Sequence, residues 1–167
     1  MRTIKNNKIM EAIITAATVL ALYLNVATSN TNGYIYNAVY EDNQVAKIEV
    51  FSQDGKSLSR KLQYHYSYDA QGRLASKETL RWNALAAEWQ PSQLFVYEYT
   101  GNGYTLSLSN WSHEAGKYMP SNEKMVYHMV ADNVLAVDTY RRNDLDEAFE
   151  RTSGMLVMNA DKDYADL

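Results

Sequence analysis

Cysteine is absent from the 167 residues, so neither disulfide bonds nor thiolate-held metals can brace the fold, and a lipid on an amino-terminal cysteine is excluded as an anchor. Long apolar runs are lacking as well: no stretch reaches the roughly twenty residues that a membrane-spanning helix needs. Positive charge is scarce, with 16 Lys and Arg against 20 Asp and Glu, which removes the electrostatic reason to expect nucleic acid or anionic lipid as a partner. No glycine-rich phosphate loop, nucleophile elbow or P-loop occurs. The three histidines, His65, His113 and His128, stand in none of the His-x-x-x-His or His-Glu-x-x-His spacings that place two ligands on one metal. Neither a metal nor a cofactor is expected.

What is present begins with Arg2, Lys5 and Lys8, followed by thirteen uncharged residues from Ala12 to Leu24. Ala27 and Ser29 then supply small side chains three and one positions before a cut near Asn30. Basic flank, apolar run and small-residue exit in that order are the layout of a secretory signal peptide, with Glu11 as the one irregularity. The competing reading is a buried amino-terminal helix. Residues 1–29 are expected to leave as a signal helix and 30–167 to remain as one domain of ordinary size. Its 13 basic and 19 acidic residues give a net charge of −6. The expected location is the periplasm, the cell surface or the medium, without an integral membrane segment.

Past the leader the chain repeats itself. A shift of 29 residues lays Trp82 on Trp111, Trp89 on Tyr118, Pro91 on Pro120 and Ser92 on Ser121. A further 29 carries Trp111 onto Tyr140, while Phe149 and Arg151 fall two positions late, as a loop insertion would make them. Tyr66 and Tyr68 match Tyr97 and Tyr99 at a shift of 31, and Tyr97 matches Tyr127 at 30. After each Tyr-rich arm comes a polar turn: Tyr40 to Val45, Tyr68 to Leu74, Tyr99 to Tyr104 and Met129 to Val134. Asn, Asp and Gly in these turns tolerate positive φ and reverse a chain cheaply, so four degenerate hairpin repeats are expected.

Between the turns the period is two. Leu62, Tyr64, Tyr66 and Tyr68 alternate with Gln63, His65 and Ser67; on the return arm Leu74, Leu80 and Trp82 are read as one face and Arg73, Lys77 and Arg81 as the other. Tyr104, Leu106 and Leu108 repeat the alternation, and a last strand is expected at Met155 to Met158. With Val45 to Phe51 included, the count is about nine strands in an all-β antiparallel meander. Leu94 and Val96 oppose Phe95, Tyr97 and Tyr99, so that strand has apolar residues on both sides and belongs inside. Pro91 and Pro120 come early in strands, where a missing N–H is tolerated at an open edge. Ordering a residue costs about 1–2 kcal/mol and burying a large apolar side chain returns about 1.5–3. A flat, bare sheet would therefore hardly fold; it must curl or roll, stack, or dimerise.

Tyr68-Asp-Ala-Gln-Gly-Arg-Leu74 resembles the tyrosine-aspartate (Rhs-type) repeats of bacterial surface and toxin-shell proteins, in which such hairpins wind into a β-sheet shell; the resemblance implies hairpin geometry. The layout of signal peptide, Trp and Tyr-Pro-Ser repeats and Tyr-Asp turn also resembles a family of small exported proteins of Bacteroides and its relatives that carries a domain-of-unknown-function label. That resemblance implies no activity, substrate or site residue.

Among chemical groups, His113 and Glu114 in the loop after Trp111 invite an acid-base reading, but the equivalent loop after Trp82 has no ionisable group, which favours a solvated pair. Glu78, Glu88, Glu98 and Glu114 are spread over neighbouring arms without the marks of a glycosidase pair. Asp144, Asp146 and Glu147, and the tail from Asp161 to Asp166, lack the Gly turn and distal Glu of a Ca²⁺ loop. Aromatic residues are the strongest feature, since rows of Tyr and Trp can line a recognition surface or simply pack. Trp82, Trp89, Trp111 and Tyr118 flank the longer loops and form the candidate ligand-binding patch; no catalytic residue is singled out. The leading expectation is a non-enzymatic exported module that binds a glycan, a peptide or a protein partner. The alternatives are a cell-envelope or extracellular hydrolase using paired carboxylates, and a structural subunit, homo-oligomeric, that assembles through sheet edges.

Overall fold

The computed structural model describes residues 13–28 and 33–158. The basic residues Arg2, Lys5 and Lys8, the cut near Asn30 and the acidic tail from Asp161 lie outside them. Among the described residues one helix, α1 (Ala16–Thr28), precedes nine strands: β1 (Tyr34–Glu41), β2 (Gln44–Asp54), β3 (Ser57–Tyr68), β4 (Leu74–Asn83), β5 (Glu88–Thr100), β6 (Gly103–Ser112), β7 (Lys117–Ala131), β8 (Val134–Arg142) and β9 (Phe149–Met158). The strands form one antiparallel sheet in sequence order, so each pairs with the next and the expected meander is present. The reversals fall where the polar turns are. Asp42 and Asn43 both adopt positive φ, 48° and 62°, the type I′ geometry that matches the twist of a two-residue hairpin. Asp69 Oδ1 accepts from the N–H groups of Gln71 and Arg73, both at 2.9 Å.

At the other end the longer loops repeat too. The Asn83 side chain accepts from the N–H groups of Leu85 and Ala86 at 3.0 and 3.1 Å; Ser112 Oγ accepts from Ala115 N–H at 3.1 Å; Asn143 accepts from Leu145 N–H at 2.9 Å. Each loop then closes on a residue of positive φ, Ala87, Gly116 or Glu147. The loop between β8 and β9 is two residues longer than its two counterparts, which is the insertion expected from the late Phe149.

The chain divides into two compact units. The first holds residues 14–97 and 107–121, and its sheet has two distinct faces, because residues paired across neighbouring strands share a face. On one lie Tyr36, Val50, Ile48, Leu62, Tyr64, Tyr66, Thr79 and Lys77; on the other lie Asn37, Glu49, Gln63, His65, Glu78, Leu80, Trp82 and Trp89. Helix α1 covers the first, hereafter the α1 face. Val19, 4% exposed, joins Val45, Ile48, Val50 and Leu74 as the core. The main chain before the helix is also tied down: Ile14 O accepts from Leu74 N–H at 2.7 Å and Thr15 bridges Arg73.

Two expectations are corrected here. Leu74 does not share a face with Leu80 and Trp82, and Lys77 does not oppose it. A bulge at Ser67/Tyr68 sets Tyr68 against Leu74, which shifts Leu74 to the α1 face, where Lys77 lies 4.3 Å from the Tyr64 ring centroid. Nor does Pro91 sit at an open edge. It pairs with Leu80 where the β4–β5 register shifts, and the bulge supplies the interruption that a missing N–H requires.

The second unit holds, among the described residues, Ile13, 98–106 and 122–158. Its aromatic centre is Tyr104, stacked on Tyr127 at 4.6 Å and 12° and tilted against Tyr99 at 5.7 Å. Asp138, nearly buried, takes the guanidinium of Arg151 at 2.7 Å. In this third copy of the repeat Tyr140 and Phe149 are not register partners, and the Lys124 ammonium lies 4.2 Å from the Phe149 centroid and 5.9 Å from that of Tyr140. Met155 to Met158, in β9, are all exposed.

Candidate binding face

On the face of the first unit turned away from α1, side chains from β1 to β4 and β7 join into one polar ribbon. Glu49 is its first anchor: Asn37 Nδ2 donates to Oε2 at 3.2 Å, Gln63 Nε2 donates to Oε1 at 2.9 Å, and Lys47 Nζ lies 3.2 Å from Oε1. Gln63 thereby turns its carbonyl toward His65, whose Nε2 stands 3.2 Å away, and because that oxygen only accepts, Nε2 carries the proton. His65 Nδ1 faces Glu78 Oε2 at 3.8 Å. Glu78 Oε1 in turn accepts from the Tyr118 hydroxyl at 2.7 Å. Alternation places Asn37, Glu49, Gln63, His65 and Glu78 on one face, and the registers bring them side by side.

The four aromatic residues expected at the loop end meet this ribbon. Trp82 and Trp89 are register partners, with rings edge to face at 5.1 Å and 64°; Trp111 and Tyr118 repeat the contact at 5.0 Å and 75°. Each such pair contributes about 0.5–1.5 kcal/mol beyond its buried area. The Arg60 guanidinium lies 4.7 Å from the Trp82 centroid, and Phe51, Arg60 and Trp82 line a shallow depression. All four rings are half-buried, so their edges pack while part of each surface meets solvent. Tyr118 belongs to both groups, ring in the aromatic pair and hydroxyl on Glu78. Burial, and then the hydrogen bond and charge of Glu78, push its phenol pKa up, so it stays a neutral donor.

Of the other sequence candidates, Glu88 pairs opposite Asn83 and so leaves the face that carries Glu78, while His113 and Glu114 are exposed in their loop. Glu49 and Gln63 escaped the sequence reading; alternation with Val50 and Tyr64 places them on a polar face but does not reveal that they are neighbours. Between the two anchoring carboxylates the interval is filled by Gln63 and His65. Among the described residues no group of three or more potential ligands could hold a metal ion.

Burial alone would push the Glu49 pKa up, but hydrogen bonds from Lys47 and Asn37, the Lys47 charge and the Gln63 amide outweigh it and hold the carboxyl below its ordinary 4.5. Its folded pKa is thus below the unfolded one, so its stabilising contribution is complete above that ordinary value and is lost as pH falls through the folded value. Glu49→Gln is expected to flatten the acid limb of a stability-versus-pH curve between roughly pH 3 and 5. Urea unfolding across that range measures it; parallel limbs for the two proteins would show that Glu49 is not so held.

The family described as "Family of unknown function (DUF3836)" matches residues 1–129. A protein of unknown function from Bacteroides fragilis NCTC 9343 has a similar crystal structure, with a TM-score of 0.65 at 23% identity over 78% of this chain and 96% of that one. A DUF3836 family protein from Bacteroides vulgatus ATCC 8482 superposes with a TM-score of 0.53 at 23% identity, over 54% of this chain and 92% of that one. Both likenesses concern the fold. No curated protein matches the chain.

Proposed function

The chain belongs to the DUF3836 family, whose function is unknown, and from its own geometry we propose that it is an exported, non-enzymatic module that binds a glycan on the face turned away from α1. The carrying observation is the juncture at Tyr118, where half-exposed Trp and Tyr rings adjoin a row of carboxylate, amide and imidazole groups. Sugars present flat C–H surfaces that suit aromatic rings, and hydroxyls that both donate and accept; Glu78, Glu49 and Gln63 supply acceptors and donors at fixed positions. The filled interval between Glu49 and Glu78 favours binding over cleavage by a carboxylate pair.

Tryptophan emission titrated with a panel of neutral and amino-sugar oligosaccharides tests this. A saturating change is expected with at least one of them, and Trp111→Ala or Glu78→Gln is expected to weaken that affinity about tenfold, or about 1.4 kcal/mol. No emission change with any sugar would sink the proposal. Strand β9 supports a second reading, assembly through a sheet edge. Among the described residues it has β8 as its one neighbouring strand and exposes Met155, Leu156, Val157 and Met158, the kind of uncharged edge that pairs with another chain.

A further inference from the structure

We infer that once residues 1–29 have been removed, the α1 face becomes a dimer interface, covered by the same face of a second copy. The inference rests on the export reading. If the cut falls near Asn30, α1 ends before it and leaves with the leader. Val45, Ile48, Val50 and Leu74 then lose Val19, the residue that completes their cluster, and Tyr36, Tyr64, Tyr66 and Tyr97 lose the helix that forms the other wall of their cleft.

Helix α1 is a poor fit to the surface it covers. Val19 is 4% exposed, but Leu22 and Val26 remain 60% and 46% exposed, and a cleft of about 300 Å³ persists between helix and sheet. Width explains this. The aromatic residues extend from Tyr36 in β1 to Tyr97 in β5, four inter-strand steps or roughly 19 Å, whereas a helix with its side chains is about 10 Å across. The occupant that matches such a width is another sheet, laid face to face about 10 Å away.

Area and charge select a second copy. Four tyrosines carry on the order of 600–1,000 Å²; half of it, with Ile48, Leu62 and Leu74 added, approaches the roughly 800 Å² per partner of a specific interface. A monomer rarely leaves so large an apolar patch bare. Of the residues lining the cleft Lys77 alone is charged, and its ammonium already lies against the Tyr64 ring; Arg81 and Glu88, which the registers add to this face, are of opposite sign, so neither an acidic nor a basic partner finds a one-signed complement there. Two identical faces related by a two-fold axis are self-complementary in polarity and in width. Before the cut, α1 holds the chain monomeric.

The test compares the exported protein with the full chain kept uncut by cytosolic expression, using intact mass and sedimentation equilibrium. The exported protein is expected to have lost its leader and to sediment at twice its chain mass; the uncut chain is expected to sediment as a monomer. Tyr66→Arg, or Tyr36→Arg on β1 should the first not fold, is expected to return the processed protein to a monomer with an unchanged far-UV spectrum. An intact leader on the exported protein overturns the export reading and the inference with it. A correctly cut monomer, with or without the leader peptide bound, overturns the inference alone. So does a dimer that survives both substitutions, which would assign association to β9.

Discussion

Replacing Gly103 with alanine is expected to unfold the unit that contains β8 and β9, a loss on the order of 4 kcal/mol or more. Gly103 opens β6, is buried, and lies against the backbone of β7: an added Cβ would overlap Tyr127 O and come within 2.8 Å of His128 Cα. Main-chain atoms have no rotamer to escape into, so the strand itself must move. Moving it opens the Tyr104–Tyr127 stack and the bond from Met129 N–H to Asn102 O, 3.1 Å long. Gly101, two residues earlier, has nothing within 4 Å of the point where an alanine Cβ would stand, so Gly101→Ala is the control and is expected to change stability little. Thermal unfolding of the pair decides the matter. A Gly103→Ala protein that melts with the parent would show that the two backbones are not so closely apposed.

The turns were legible because each depends on residues adjacent in sequence. Asp42-Asn43 writes a type I′ turn locally, and the 29-residue shift marks Trp82, Trp89, Trp111 and Tyr118 as equivalent pairs without knowledge of the sheet. The polar ribbon was not legible, since Glu49, Gln63 and Glu78 become neighbours only through registers set by bulges such as that at Val50/Phe51. One bulge was enough to bring Leu74 to the same side as Lys77, from which strict alternation separates it. Helix α1 poses a different difficulty: an uncharged run of Ala, Leu and Val reads equally as a leader or as a roof for a sheet, and composition carries no register. The third repeat kept the hairpin and lost the ring pair, because two inserted loop residues set Phe149 opposite Arg142 and left Lys124 against both rings.

Leu74→Ala is expected to cost about 2–5 kcal/mol in the full chain, the range for a buried leucine whose surroundings cannot collapse into the cavity. Leu74 is 2% exposed and belongs to the cluster that Val19 completes. Its N–H bonds Ile14 O through the main chain, which the substitution leaves in place, so the loss reports side-chain packing. The cost also depends on what covers the residue. In the uncut chain the cover is α1, so the urea midpoint is expected to be independent of protein concentration. If a second copy is the cover in the processed protein, as proposed, the substitution weakens folding and association together, so the midpoint is expected to rise with concentration. Unfolding at two concentrations, with and without the leader, separates these cases. A cost below about 1 kcal/mol in both proteins would mean that the α1 face is not where the sheet buries its core.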